Sequence, residues 1–240
     1  MERIIKQLNL FWFSPIAPER LAILRIATGL FSLWYLATRF DMMKHIVDNG
    51  ASSYEPVGIA TFLQQPIAPE LFMSLLWVTM ALNVAYILGW QFRWTGALFA
   101  LMFLFIMCYR NSWSMIYHNY NGLVLHIFII GAVAAADAIS LDRWLKNRKN
   151  PTLRIGQHWQ YGWPVKLICT ATVVTYLLSG LAKIFGDLAW DWISGDAMRS
   201  QVAVDALRKE MLGSAATPLF EWLLSAYHAF FDHGYFYYDT

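Results

Sequence analysis

Residues 163–185 read WPVKLICTATVVTYLLSGLAKIF. The run is apolar and long enough for one helical crossing of a bilayer, which takes about 20 residues. Four polar side chains in it, Thr172, Tyr176, Ser179 and Lys183, are spaced 4, 3 and 4 apart. That spacing puts them on one face of a helix. A polar face within a membrane turns to the bundle interior or to a water-filled cavity. A lysine near a helix end has a second option, which is to carry its ammonium out to the headgroups along its own apolar stem. If the helix turns this face inward, Lys183 is a partly desolvated site residue; if outward, it is an anchor. Gly180, beside the stripe, leaves room for a close approach of a helix or ligand.

The rest of the chain has the same character. Of its 240 residues 58% are hydrophobic and only 14% charged, against about 25% charged in a soluble domain. Further apolar runs occupy 21–39, 68–90, 94–112 and 121–141, and 214–231 is a sixth candidate that contains Glu221 and His228. Glu221 is expected to avoid lipid, because an unpaired carboxylate there would protonate or find a donor. Residues 1–14 are too polar to cross, but Ile4, Ile5, Leu8, Phe11 and Trp12 recur at helical spacing. An amphipathic helix lying in the interface is expected there. The fold class is therefore all-α: a polytopic membrane bundle of five or six transmembrane helices behind an N-terminal interfacial helix. One domain is expected over 1–240, with the interfacial part at 1–20, a five-span core at 21–185 and an exoplasmic or interfacial tail at 186–240. The lipid bilayer is the implied partner. A net charge of +2 gives no case for nucleic acid. Cys108 and Cys169 sit in apolar runs with no metal-type spacing and read as inert core residues.

Lysine and arginine in the short loops set the orientation. Arg3, Lys6, Arg20, Arg93, Arg143, Lys146, Arg148, Lys149 and Arg154 share one side if the spans are as read. Arg39, Lys44 and Arg110 fall on the other. The N-terminus is thus expected in the cytoplasm. Arg25, one turn into the first span, is expected to snorkel to that surface.

A second polar group lies between the third and fourth runs, in YRNSWSMIYHNYNGLVLH. It offers Arg110, Asn111, Tyr117, His118, Asn119, Tyr120, Asn121 and His126. Asn donates and accepts, Arg binds anions, and His exchanges protons near neutral pH. Donors of this kind can stabilise a developing oxyanion. Helix caps and interfacial tyrosines explain Tyr117, Tyr120 and Asn121 equally well. His126 lies about one turn into the span and is explained less well by that reading. Arg110, Asn119, Asn121, His126, Tyr176 and Ser179 are the ligand-contact candidates. No cluster of His and carboxylates has the spacing of a metal site.

Three stretches resemble the HTTM family, the membrane domain shared with vitamin K-dependent gamma-carboxylase. They are LAILRIATGLFSLWYLATRF, YHNYNGLVLHIFIIGAVAAADAISLDRW and YLLSGLAKIFGDLAWDWISGDAM, which together cover most of 20–200. The resemblance implies that Lys183 corresponds to the base that deprotonates vitamin K hydroquinone. It implies for His118 a part in the carboxylation half of that reaction, although Asn119 and Asn121 here follow the histidine where the family's asparagines precede it. A quinone or hydroquinone is the cofactor class so implied. The carboxylase binds its protein substrate through a large further domain with no counterpart in these 240 residues, so carboxylation of glutamate in a protein is not expected, or needs a partner subunit. Two function classes follow. One is a quinone- or lipid-handling membrane protein, with catalytic Lys183 and His118 near the exoplasmic side. The other is a non-catalytic subunit that joins membrane protein partners through its aromatic surface.

Overall fold

The computed structural model describes residues 2–46, 51–113, 120–149 and 156–211. The chain has two compact units, Met1–Tyr176 and Leu177–Thr240. The described residues are helical, and their one extended pairing is an isolated bridge between Ile16 and His158. The expected helix bundle is the architecture found. The candidate sixth run, 214–231, lies outside the described residues.

In the first unit, helices α1 (Glu2–Trp12), α2 (Pro18–Thr38) and α3 (Phe40–Ile46) are followed by two 3-10 turns, Ala51–Ser53 and Gly58–Phe62. Then come α4 (Pro69–Leu88), α5 (Phe92–Asn111), α6 (Asn121–Gly131), α7 (Leu141–Lys149) and the start of α8 (Trp159–Phe185). Four of these, α2, α4, α5 and α8, are apolar and 20 to 27 residues long. At 1.5 Å per residue each spans the roughly 30 Å hydrocarbon core of a bilayer. The chain is an integral membrane protein on that ground. Helix α1 buries none of its residues and presents Ile4, Ile5, Leu8 and Phe11 outward, as an in-plane helix requires.

Proline starts both α2 and α4, at the first helical position, where its missing amide costs nothing. Helix α4 ends at Gly89, whose φ of +64° is left-handed. The amide of Trp90 then reaches back to Ala85 O at 3.0 Å and that of Gly89 to Tyr86 O at 3.1 Å, closing the helix end.

Helices α2, α4, α5 and α6 form the core, α4 lying between α2 and α5, and α6 against both α5 and α2. Lipid supplies no hydrophobic drive between spans, so small residues and polar contacts decide the packing. A Cβ on Gly29 of α2 would stand 2.6 Å from Ile87 of α4, and one on Gly131 would stand 2.6 Å from the Gly96 carbonyl. Between α2 and α4 the fully buried Ser32 and Asn83 side chains are bonded at 3.0 Å.

The fourth expected span, 121–141, forms a helix only as far as Gly131 and continues as turns to Ser140. Alanine-rich sequence does not stop a helix by itself. Tertiary anchors override it: Tyr161 donates to Asp137 at 2.8 Å, Arg25 donates to Ile139 O, and Ser140 Oγ accepts the Arg143 amide at 3.0 Å to start α7. With 11 residues, α6 is shorter than a hydrocarbon core.

In the second unit, α8 continues to Phe185 and is followed by α9 (Ala189–Ser194) and α10 (Asp196–Met211). Ser194 Oγ donates to Asp196 at 2.7 Å in the junction between them.

Candidate functional site

Antiparallel packing gives the first unit two polar ends. The pairs Thr28–Tyr86 and Ser32–Asn83, with the Gly96–Gly131 and Tyr161–Asp137 contacts, set the alternation. One end gathers the start of α2, the α4–α5 turn, α7 and the start of α8. The other gathers the end of α2, α3, the 3-10 turns, the end of α5 and the start of α6.

At the second end, Arg110 is only 6% exposed. Its Nη1 donates to Tyr35 Oη at 2.7 Å, and its guanidinium lies 5.8 Å from the Tyr35 ring centroid. The Tyr35 ring meets Tyr120 at 4.4 Å between centroids. Tyr120 directly precedes Asn121, which is exposed at the start of α6. Thus Arg110, Tyr35 and Tyr120 form one cluster next to Asn121. Ser112, also buried, accepts the Val57 amide on Oγ at 3.1 Å and the Glu55 amide on its carbonyl at 2.7 Å. At the same end Tyr54, Phe72, Phe105, Tyr109 and Trp113 pack ring on ring. Burial pushes the Tyr54 phenol above its ordinary range. Tyr117, His118 and Asn119 lie outside the described residues.

His126 sits one turn further in. Its Nε2 is 3.1 Å from Thr172 Oγ1, and that hydroxyl donates to Ile168 O at 3.0 Å. His126 is therefore tied to Thr172, the first residue of the polar stripe on α8. Tyr176, the next along it, is 77% exposed, and Ser179 is exposed too.

Lys183 belongs to the second unit. Its side chain is exposed, and its Nζ lies 4.2 Å from the Trp192 ring centroid. Among the described residues no carboxylate pairs with it, although Asp187 and Asp191 are near in sequence. An ammonium held over an indole face is an attractive arrangement.

Sequence reasoning missed the first end. Arg25 is 1% exposed and does not snorkel. It donates to Ile139 O, lies under Phe92 at 5.5 Å from the ring centroid, and abuts Gly89 so closely that a Cβ there would collide with it. The signal was present: Leu21, Ala22, Arg25, Gly29, Ser32, Tyr35 and Leu36 recur at helical spacing and are the buried face of α2. Lys166 was also passed over. Its Nζ donates to Ser14 Oγ at 2.6 Å and lies 4.6 Å from the Phe11 ring centroid, fastening α1 to α8. A groove open to the surface runs along α1, lined by Lys6, Asn9, Phe13 and Ser14, at the opposite end from Arg110. Among the described residues no group of three or more His, Cys, Asp or Glu is placed to hold a metal.

A family model described as HTTM domain matches residues 13–236, and the chain belongs to that family. No curated protein and no solved structure matches it.

Proposed function

We propose that this HTTM-domain membrane protein binds a quinone or lipid-like molecule whose polar head is met by Lys183. The observation that supports the reading is the lysine itself. It ends an apolar helix, it has no carboxylate partner among the described residues, and an indole holds its ammonium. A cation so held can meet a phenolic or carbonyl oxygen of a quinol or quinone. The resemblance to the carboxylase supports a base role for it, one that arginine could not fill. His118, Arg110, Asn119, Asn121, His126, Tyr176 and Ser179 are the further candidates for ligand contact that residue type, spacing and the family resemblance offer. His118 takes the second catalytic role. The site opens to the exoplasmic side, with the N-terminus in the cytoplasm.

The test is native purification of wild type, Lys183→Arg and Lys183→Met, with mass spectrometry of the molecules that remain bound. A quinone or isoprenoid lipid retained by wild type and lost from Lys183→Met supports the reading. Retention by Lys183→Arg, together with any turnover, would show a charge contact and rule out a base. Equal retention by all three, or no quinone-like ligand in any, overturns the proposal.

A further inference from the structure

The first end of the bundle carries a charge pattern that the quinone reading does not use. Helix α7 has the sequence LDRWLKNRK. Its single acid, Asp142, is turned away from solvent cations. One carboxylate oxygen accepts the Gln91 amide at 2.8 Å and the other the Phe92 amide at 3.0 Å. Trp144, which is 54% exposed, and Arg148 share one face of α7, and Lys146, two residues from each, is exposed on another. The Arg148 guanidinium stands 4.8 Å from the Trp144 ring centroid.

The same clamp fixes what lies next to α7. Asp142 binds the Gln91 and Phe92 amides of the α4–α5 turn, so the first turn of α7 is held at the segment that carries Trp90, Arg93 and Trp94. All three are exposed, and Arg93 repeats the arrangement with its guanidinium 6.0 Å from the Trp94 ring centroid. Among the described residues no carboxylate pairs with Arg93, Lys146 or Arg148. Exposed cations with no carboxylate partner attract an anion. This set also lies at a defined depth. Trp90 and Arg93 stand at the facing ends of α4 and α5, two span-length helices, which is where headgroups begin. Indole rings favour that depth, and guanidinium groups bind phosphate through parallel donors.

We propose that α7 and the α4–α5 turn form a binding surface for anionic phospholipid headgroups. The exposed indoles lie at the glycerol level, and Arg93, Lys146 and Arg148 meet the phosphates. Charge complementarity selects the anionic class, since a zwitterionic headgroup brings its own cation to each phosphate. The proposal is independent of what Lys183 binds.

The test uses the full chain reconstituted in vesicles of phosphatidylcholine and phosphatidylglycerol in equal amounts. Retained lipid is counted by native mass spectrometry after extraction. Wild type is expected to keep phosphatidylglycerol over phosphatidylcholine by on the order of fivefold, the worth of about one surface cation. The triple variant Arg93→Gln/Lys146→Gln/Arg148→Gln should fall to no preference, and high salt should do the same to wild type. The double variant Arg39→Gln/Lys44→Gln, at the other end of α2, should keep the preference. If the triple variant fails to fold, the salt series and Arg148→Glu decide by the same readout. No preference in wild type, a preference untouched by salt or by these substitutions, or equal loss in the Arg39/Lys44 variant overturns the proposal. Displacement of the lipid by inorganic phosphate alone would identify a simple anion site and overturns it as well.

Discussion

The carboxylate of Asp142 accepts the backbone amide of Phe92, 50 residues earlier in the chain, at 3.0 Å. Its other oxygen accepts the amide of Gln91 at 2.8 Å. A side chain from α7 thereby caps α5. It also closes the turn in which Gly89 takes its left-handed conformation and Arg25 is sealed from solvent.

Asp142→Ala removes both acceptors. The expected loss is that of a strong helix cap, about 1–2 kcal/mol, seen as a lower unfolding midpoint in detergent micelles. Asp142→Asn keeps one acceptor oxygen and should lose less. An unchanged midpoint in Asp142→Ala would remove the clamp from the account of stability.

Gly89→Ala should be among the costlier alanine substitutions at glycine. Its φ of +64° strains any L side chain, and the new Cβ would strike Arg25 and stand 2.6 Å from the Ser140 Cβ. A loss of at least about 1 kcal/mol is expected. Gly122→Ala is the contrast, because among the described residues nothing beyond its chain neighbours and its own helix backbone lies within 4 Å of the added Cβ. There the helical position should be neutral or improved. Equal midpoints for the two variants would contradict the described turn.

The bond between His126 and Thr172 is open to a double-mutant cycle with His126→Phe and Thr172→Val. Interhelical hydrogen bonds in membranes couple by about 0.6 kcal/mol on average. A coupling of that order is expected from unfolding in mixed micelles. Strict additivity would mean that α6 and α8 do not share this bond in the membrane.

The orientation is tested by single cysteines at Asn119 and Asn147. Membrane-impermeant maleimide added to intact cells should label the first and spare the second. The reverse pattern would place the N-terminus outside and the proposed ligand site on the cytoplasmic side.

The candidate site was readable in kind more than in arrangement. Residue types and helical spacing singled out Lys183 and its stripe, because a charge in an apolar run stands out without knowledge of its neighbours. Spacing could not say that Thr172 would be met by His126, Lys183 by Trp192 and Arg110 by Tyr35. Of those partners, Tyr35 lies 75 residues from Arg110, and no local pattern connects them.

The sequence by itself determined the membrane and the four long apolar helices α2, α4, α5 and α8. Long apolar runs have one low-energy state in lipid, the helix, because every backbone polar group must be satisfied within the segment. It determined α1 as well, since a repeat of Ile4, Ile5, Leu8 and Phe11 on a polar helix suits an interface. Only the tertiary structure decided that α6 stops at Gly131 and that Arg25 is buried. Both outcomes depend on contacts made across the fold. The Ile139 carbonyl that Arg25 takes lies 114 residues away, and the Gly96 backbone touches Gly131 from another helix. Hydropathy measures what a segment loses on leaving water. It carries no record of which donor will meet which acceptor once the helices have packed.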